Sequence, residues 1–421
     1  MRAIRRRRKS RRLLAVVCCA AMLAGWGAVR AGADVQTQVI TDESDGATAA
    51  QLLQEGDEEW APTMTQPADT ALEVNAKGAV LMELSSGQVL FEKDPHNKVA
   101  IASVTKVMTL LLVMEALDAG QIQLDEMVTC SAEAASMGGS QIWLEEGETM
   151  SVHDLLKAAA VVSANDACAA LAEHICGTIE AFVAKMNERA AQLGMQDTRF
   201  LDCSGLNDEA YSSAYDVALM SRELMKHPKI TEYTTIWMDS LRGGKSELVN
   251  TNKLVRHYKG ATGLKTGTTQ KAGYCLSATA QRDGMGLVAV ILGSPTTDER
   301  FGGARKMLDY GFASYSIHTP EIDMSQLQPV PVLRGVESVV PLAVETPTPL
   351  LLKKGQEKAV TTTIEVAQDV EAPVLEGQIL GEIVLKLDDK KMAAYPIRAA
   401  TAVGRVNFGV AFGWLLRALC A

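Results

Sequence analysis

One segment constrains the fold more than any other, a largely apolar run over residues 107–119 that ends at Gly120. Its length and its lack of internal proline or glycine predict a buried helix, which the glycine would terminate. Ser103 and Lys106 precede the run, three residues apart, so nearly one helical turn separates them. We therefore expect both side chains on one face at the helix N-terminus, where free N–H groups and the helix dipole favour developing negative charge.

This serine and lysine are the residue types of a nucleophilic site. A hydroxyl needs a base to accept its proton, and a buried lysine can be that base because burial favours the uncharged amine. The spacing Ser-x-x-Lys also occurs by chance in many chains of this length, so the pair alone does not establish catalysis.

Residues 1–33 predict a secretory signal peptide. They hold nine basic residues and no acidic one, an apolar run over residues 13–24 and small residues before a cleavage point after Ala33. A nucleic-acid-binding arm would not lead into an apolar stretch, and the stretch is short for an uncleaved spanning anchor. We therefore expect an exported protein that acts outside the cytoplasm.

Loss of this signal would make the chain strongly acidic. Of the 41 basic residues 32 would remain, against 51 acidic residues, which gives a net charge of −19. Such a chain gains nothing from a nucleic-acid backbone, so we expect no nucleic-acid partner. Residues 34–66 are themselves polar and acidic, and they predict a disordered tether.

The six cysteines that remain show no close-paired zinc or redox spacing. Cys168 and Cys176, on one expected helix, would lie about 12 Å apart, too far for a disulfide. Buried free thiols are the simplest expectation, although export leaves a disulfide among the other cysteines open.

The order of predicted elements is strands, then helices, then strands and a closing helix. Residues 79–84 and 88–92 predict a hairpin, and Arg282-Asp283-Gly284 predicts the turn of a second hairpin. Helices are expected in between, from the helix-capping residues Ser151, Asp166, Thr178 and Ser213, and a last helix over 298–312. We therefore predict an α+β fold, an antiparallel sheet flanked by helices, followed by a small β-rich domain.

Two further short motifs follow the serine–lysine pair. Ser163-Ala164-Asn165 falls on the expected connector between two helices, where such residues are usually turn and cap residues. Lys265-Thr266-Gly267-Thr268 predicts an edge strand that something approaches closely, although an ordinary exposed strand end would have the same residues.

Together, Ser-x-x-Lys, Ser-x-Asn and Lys-Thr-Gly in this order resemble the signature of penicillin-binding proteins and serine β-lactamases. The flanking residues resemble the low-molecular-mass D-alanyl-D-alanine carboxypeptidases over roughly residues 75–315; they include residues 102–109, 163–167, 172–175, 194–200, 204–206, 263–267 and 272–276. The middle motif has Ala164 where this family often has glycine, a change that we expect to tune the site rather than destroy it.

This resemblance implies a role for each motif residue. Ser103 would attack the carbonyl between the two terminal D-alanines of a peptidoglycan stem peptide and form an acyl-enzyme, while Lys106 accepts its proton. Ser163 would relay a proton to the leaving amine, and Asn165 would hold the substrate amide and orient Lys106.

The Lys-Thr-Gly strand would recognise the substrate. Lys265, Thr266 and Thr268, with Gly267 between them, would bind the terminal carboxylate, and the N–H groups of Ser103 and Thr268 would form an oxyanion hole. The resemblance implies no cofactor and no metal. β-Lactam antibiotics would mimic the dipeptide and acylate Ser103.

The C-terminal part changes character after about residue 318. Prolines and alternating apolar runs predict a β-rich domain over residues 319–402, after a catalytic domain over 67–318. Residues 403–421 place Phe408, Phe412, Leu415 and Leu419 at helical spacing. A helix that binds a membrane surface is one interpretation, and a helix packed on the β-domain is the other.

Three other functions compete with a carboxypeptidase. A β-lactamase would need an extra glutamate-positioned water, and the long C-terminal region speaks against it. A penicillin-binding sensor without turnover is opposed by the complete motif set. A zinc carboxypeptidase would need clustered ligands, which the six histidines do not form in the sequence.

Overall fold

The computed structural model describes residues 72–320, 327–345 and 347–420, together with the backbone of residues 38–40. The predicted signal peptide and most of the predicted tether lie outside the described residues. Three tether residues, Gln38–Ile40, form a short strand, which differs from the expectation of a disordered segment there.

The described helices begin and end close to the predicted positions. Ser151, Thr178 and Ser213 each accept an N–H of the first turn, as their sequence positions predict. The helices are α1 Lys106–Asp118, α2 Ala132–Ala135, α3 Val152–Val161, α4 Asn165–Cys176, α5 Ile179–Gln192, α6 Ala214–Leu224, α7 Thr231–Thr234, α8 Leu254–His257, α9 Thr297–Ser314 and α10 Phe408–Cys420.

The predicted cap at Asp166 is wrong. Helix α4 begins two residues earlier, with Ala164 at the N-cap position, and Asn165 is its first residue. The Asp166 carboxylate instead accepts N–H groups of Ile142 and Leu144 from a distant segment. The Asp166 carboxylate thus bonds a segment that is distant in the sequence, whereas the local pattern predicted that it would cap the helix.

The strands include both predicted hairpins. Asp283 and Gly284 have positive φ angles of 48° and 80°, as the tight turn requires. The strands are β1 Gln38–Ile40, β2 Gly78–Glu83, β3 Val89–Lys93, β4 Met127–Thr129, β5 Thr149–Ser151, β6 Met238–Leu241, β7 Ser246–Val249, β8 Ala261–Thr269, β9 Gly273–Arg282, β10 Met285–Ser294, β11 Tyr315–His318, β12 Val330–Leu333, β13 Val339–Val340, β14 Leu342–Val344, β15 Leu350–Lys353, β16 Val360–Val366, β17 Val370–Glu371, β18 Ile379–Leu387 and β19 Lys390–Ala399.

A five-stranded antiparallel sheet organises the first domain, in the order β3-β2-β10-β9-β8. One face packs against a cluster of helices that contains α1, α3, α4 and α6, and the other packs against α9. Strand β10 is buried along most of its length because both faces are covered. The sheet places β8 at its edge, as predicted, and the α+β fold class is confirmed.

The C-terminal region is rich in β-strands, as predicted. A four-stranded sheet, β14-β19-β18-β16, and a three-stranded sheet, β13-β12-β17, each have a small apolar cluster. Strand β11, at the end of the first domain, pairs with β15 of this region. The boundaries predicted at residues 318 and 402 stay predictions.

Among residues 408–420, which form helix α10, no side chain is buried. Within the described residues no single helix has the length and apolarity to cross a membrane, and only the bent pair α4 and α5 passes that test when its two members are joined. The six cysteines of residues 72–420 are all free in the structure, and four of them are buried.

Candidate active site

Ser103 lies on a 3₁₀ turn, Ala102–Thr105, that leads directly into α1. The first residue of that helix is Lys106, whose side chain is fully buried. Its Nζ lies 3.1 Å from Ser103 Oγ and donates to Asn165 Oδ1 at 2.5 Å and to the Ser204 carbonyl at 2.8 Å. The structure therefore joins residues of the first two predicted motifs at one amine.

Two glycines let other segments approach the serine turn closely. At Gly267 of β8 an added Cβ would lie 2.7 Å from the Ile101 carbonyl oxygen and 2.9 Å from the Ser103 nitrogen. At Gly205, which has φ +85°, an added Cβ would collide with the Ala102 carbonyl. The Lys-Thr-Gly motif thus lies against the backbone of Ser103.

The Ser-x-Asn motif lies between α3 and the start of α4. Ser163 has φ 64°, a left-handed conformation that costs a non-glycine residue free energy. Its Oγ is buried and has no hydrogen-bond partner among the described residues. A buried hydroxyl without a partner is unusual in a folded protein, and it marks a place where a ligand or a reacting group can bond.

Strand β8 presents Lys265, Thr266, Gly267 and Thr268. The Lys265 side chain is fully buried, and its Nζ donates to the Thr266 carbonyl at 3.1 Å. The Thr266 hydroxyl donates to Thr251 Oγ1 at 2.7 Å. The strand therefore brings a second buried amine and two hydroxyls beside the serine turn.

Sequence reasoning missed Arg300 of α9. This fully buried arginine donates from Nη1 to Thr268 Oγ1 at 3.2 Å, and its guanidinium lies over the Tyr274 ring at 5.4 Å. It adds a fixed positive charge next to the predicted carboxylate-binding strand. Its helix was predicted, but no local pattern shows that this position faces β8.

The loop before Gly205 was also missed as a site element. Asp202 accepts the N–H groups of Ser204 at 2.7 Å and of Asn207 at 2.5 Å, and it bonds the Gly205 N–H as well. This turn aims the Ser204 carbonyl at Lys106. The pattern Asp-x-Ser-Gly was a signal for an Asx-type turn.

Cys168 lies beneath the site but does not provide a competing nucleophile. Burial raises the pKa of this thiol to about 11, against the opposing effect of the Lys106 and Lys265 amines. A thiol of that pKa is almost entirely protonated at neutral pH and is a poor nucleophile. The hydroxyl of Ser103 is the better candidate. In the part of the chain that the structure describes, no three His, Cys, Asp or Glu side chains cluster as metal ligands would.

A profile of the peptidase S11 family, described as D-alanyl-D-alanine carboxypeptidase, matches residues 63–296, more than half of the chain. The chain belongs to this family. A second profile, for the C-terminal domain of penicillin-binding protein 5, matches residues 324–405. The chain is thus a D-alanyl-D-alanine carboxypeptidase of the penicillin-binding type, with the C-terminal β-rich region of that group.

Named relatives agree with this membership. The chain is 43% identical to the D-alanyl-D-alanine carboxypeptidase DacF of Bacillus subtilis, over 79% of this chain and 87% of that protein. Penicillin binding protein 5 of Haemophilus influenzae superposes with a TM-score of 0.69 at 32% identity, covering 80% of this chain and 99% of that one. Penicillin-binding protein D2 of Listeria monocytogenes, solved in an ampicillin-bound form, matches 58% of this carboxypeptidase and all of its own chain, with a TM-score of 0.51 and 32% identity.

Proposed function

We propose that Ser103 is the nucleophile of this carboxypeptidase and that Lys106 accepts its proton. The observation that supports this most is the set of contacts around Lys106 Nζ. Two N–H bonds go to the oxygens of Asn165 and Ser204, and the Ser103 hydroxyl lies 3.1 Å away. A neutral amine that donates two protons in this way keeps its lone pair for the serine proton.

The reaction then proceeds in two halves. Ser103 Oγ bonds to the carbonyl carbon of the penultimate D-alanine, the C–N bond to the last D-alanine breaks, and the leaving amine takes up a proton. Water then bonds to the carbonyl carbon of the resulting ester and gives one proton to Lys106, the C–Oγ bond breaks, and the proton returns to Ser103 Oγ. We assign to Ser163 the earlier relay of a proton from Lys106 to the leaving amine, because the buried Ser163 hydroxyl has no partner among the described residues.

Strand β8 recognises the terminal carboxylate of the substrate in this proposal. Lys265 supplies the cation, Thr266 and Thr268 supply hydroxyls, and Gly267 permits the close approach to Ser103. The fixed charge of Arg300 next to Thr268 supports this assignment. The N–H groups of Ser103 and Thr268 would stabilise the oxyanion, since donors fixed before the reaction need no reorganisation.

Replacement of the nucleophile tests the proposal directly. We expect Ser103→Ala to remove both the release of D-alanine from a D-Ala-D-Ala peptide and covalent labelling by a fluorescent penicillin. The loss should occur without unfolding, because Ser103 is only partly buried and the change removes one oxygen. The matched control is Ser85→Ala, an exposed serine of the β2–β3 turn, which should keep both activities. Labelling that survives Ser103→Ala would show that another residue is acylated.

We also propose that the protein acts outside the cytoplasm and that its tail binds a membrane surface. Two features support this location, the signal-like composition of residues 1–33 and the peptidoglycan substrate of the family. In helix α10 the exposed apolar side chains include Phe408, Phe412, Leu415 and Leu419. A helix of this kind gains free energy when its apolar face enters the headgroup region of a bilayer.

A further inference from the structure

The segment before β5 contacts Asn165 but has no role in the mechanism proposed above. We call residues 138–148 the rim segment. The Gly138 carbonyl accepts from Asn165 Nδ2 at 2.7 Å, and the Ser140 carbonyl accepts from the Asn165 backbone N–H at 2.7 Å. At Gly139 an added Cβ would lie 2.8 Å from Asn165 Nδ2, so the backbone is in close contact with that amide.

These contacts decide which way the Asn165 amide points. An amide has one acceptor oxygen and one donor nitrogen. Because Gly138 offers a carbonyl acceptor, Nδ2 must face the rim segment, and Oδ1 then faces Lys106 Nζ. The orientation of the Asn165 amide, which bonds Lys106, therefore depends on the position of the rim segment.

A buried carboxylate holds the rim segment from one side. Asp166, which is fully buried, accepts the N–H of Ile142 at 3.0 Å, the N–H of Leu144 at 3.0 Å and the N–H of Ala167 at 2.9 Å. Burial raises the pKa of Asp166, while these three backbone bonds act in the opposite direction. Burying a carboxylate is costly unless it is hydrogen-bonded, so these bonds are needed to keep it there.

A guanidinium holds the same peptides from the other side. Arg242 donates to the carbonyl oxygens of Ile142 at 2.9 Å and Trp143 at 3.3 Å, and it forms a two-bond ion pair with Glu148 at 2.8 and 3.0 Å. Between these two charges Trp143 has φ 52°, a conformation that a bulky residue adopts only under constraint. The bonds from both sides supply that constraint.

We propose that Asp166 is a positioning residue for the reaction, because it fixes the rim segment and thereby the Asn165 amide that orients Lys106. This inference rests on the proposed roles of Ser103 and Lys106. It assigns Asp166 a function beyond stability, although Asp166 touches neither the substrate nor the reacting atoms.

The direct test is Asp166→Asn, which keeps the side-chain volume but replaces one acceptor oxygen by an NH₂ group that faces backbone N–H groups. We expect the second-order rate constant for acylation by a fluorescent penicillin to fall at least about tenfold, since small misplacements of a catalytic group have large effects on rate. With a D-Ala-D-Ala peptide, kcat should fall while KM changes less than about twofold, because β8 is untouched.

A double-mutant cycle separates positioning from a general loss of structure. In an Asn165→Ala background the amide is absent, so Asp166→Asn should change the acylation rate less than about twofold. A full additional tenfold loss in that background would overturn the inference. So would a folded Asp166→Asn variant that is acylated at the wild-type rate.

Asp216→Asn is the matched control. Asp216 is also fully buried in the first turn of a helix, and it accepts the Asp197 N–H at 2.7 Å and the Thr198 hydroxyl at 2.8 Å, away from the site. Burial raises its pKa as well. We expect this variant to lose stability but to be acylated within about twofold of the wild-type rate.

A second variant keeps the test decisive if Asp166→Asn does not fold. Arg242→Gln releases the rim segment from its partly exposed side, and we expect a smaller loss of acylation rate that again disappears in the Asn165→Ala background. Retention of the wild-type rate would contradict the inference. Ser103→Ala distinguishes the two failures, since labelling of that variant would contradict the proposed function itself, whatever Asp166 does.

Discussion

At the scale of single residues, the absence of a side chain at position 267 is as important as the side chains beside it. Gly267→Ala would place a methyl group 2.7 Å from the Ile101 carbonyl oxygen and 2.9 Å from the Ser103 nitrogen. Both neighbours are backbone atoms, so β8 or the serine turn must move. We expect the acylation rate to fall on the order of 100-fold, as displacements of about 1 Å can cause.

Gly302→Ala is the control for this prediction. Gly302 lies inside α9, and an added Cβ there meets nothing within 4 Å. This change should leave acylation unaffected and raise the free energy of unfolding by about 0.5–1 kcal/mol, because alanine loses less backbone entropy in a helix. Wild-type acylation of Gly267→Ala would show that β8 tolerates a wider separation from Ser103 than the structure allows.

The residues that sequence reasoning found and missed differ in a physical way. Ser103, Lys106 and Asn165 belong to short motifs with a fixed local spacing, and the structure brings them together at one amine. The Ser204 and Gly138 carbonyls could not be predicted, because every residue has a carbonyl and only tertiary packing selects one. Arg300 was missed for the same reason, since its partner lies 32 residues earlier in the chain.

At the scale of elements, local signals predicted the helix starts and the hairpins well. Ser151, Thr178 and Ser213 act as caps because their bonds close within three residues. The same reasoning failed at Asp166, where a buried distant segment offers better donors. It also gave no indication of the β6–β7 hairpin, although Gly243 and Gly244, both with positive φ, mark its turn.

This hairpin holds the rim segment through an ion pair, which leads to a prediction about pH. Hydrogen bonding to Arg242 lowers the pKa of Glu148 below its ordinary value of 4.5. A lowered folded-state pKa means that the pair stabilises the protein above pH 4.5, and that this contribution is lost as the pH falls through the folded-state pKa. At neutral pH, Glu148→Gln should reduce the free energy of unfolding by about 0.5–1 kcal/mol, the range of a partly exposed ion pair.

Denaturant titrations of both proteins over a range of pH check this expectation. The difference between wild type and Glu148→Gln should shrink towards zero in acid, where the glutamate is neutral as well. In an Arg242→Gln background the pH dependence of that difference should disappear. A difference that stays constant with pH would mean that packing, and not charge, links Glu148 to the hairpin.

At the scale of the whole molecule, the contacts between the first domain and the C-terminal β-rich region could not be predicted from the prolines and the change of composition near residue 318. Strand β11 pairs with β15 more than thirty residues later, and Leu351 of β15 packs into the cluster beneath α9. The Lys354 side chain also donates to the Phe312 carbonyl at 2.7 Å. A boundary at residue 318 therefore falls at the end of a strand that joins the two regions by pairing and packing.

Helix α10 and the rest of the chain are expected to have opposite effects on binding to a membrane. Without residues 1–33 the chain would have a net charge of −19, so anionic lipid headgroups would repel it. Helix α10 instead exposes apolar groups, with Phe408 84% and Leu419 74% exposed. Each large apolar side chain that becomes fully buried contributes about 1.5–3 kcal/mol, so burial can exceed the repulsion.

Vesicle flotation tests this balance. Residues 34–421 should float with vesicles of zwitterionic and of anionic phospholipid, and binding to the anionic vesicles should increase when salt screens the repulsion. A chain that ends at residue 406 should stay in the aqueous fraction yet release D-alanine from a soluble peptide at the full rate, because α10 makes no buried contact with the site domain. Phe408→Ser with Leu419→Ser should behave like the truncation. Binding that weakens with salt would instead mean that Arg405 and Arg417 attach the protein by charge, and equal flotation of the truncated chain would place the membrane contact elsewhere.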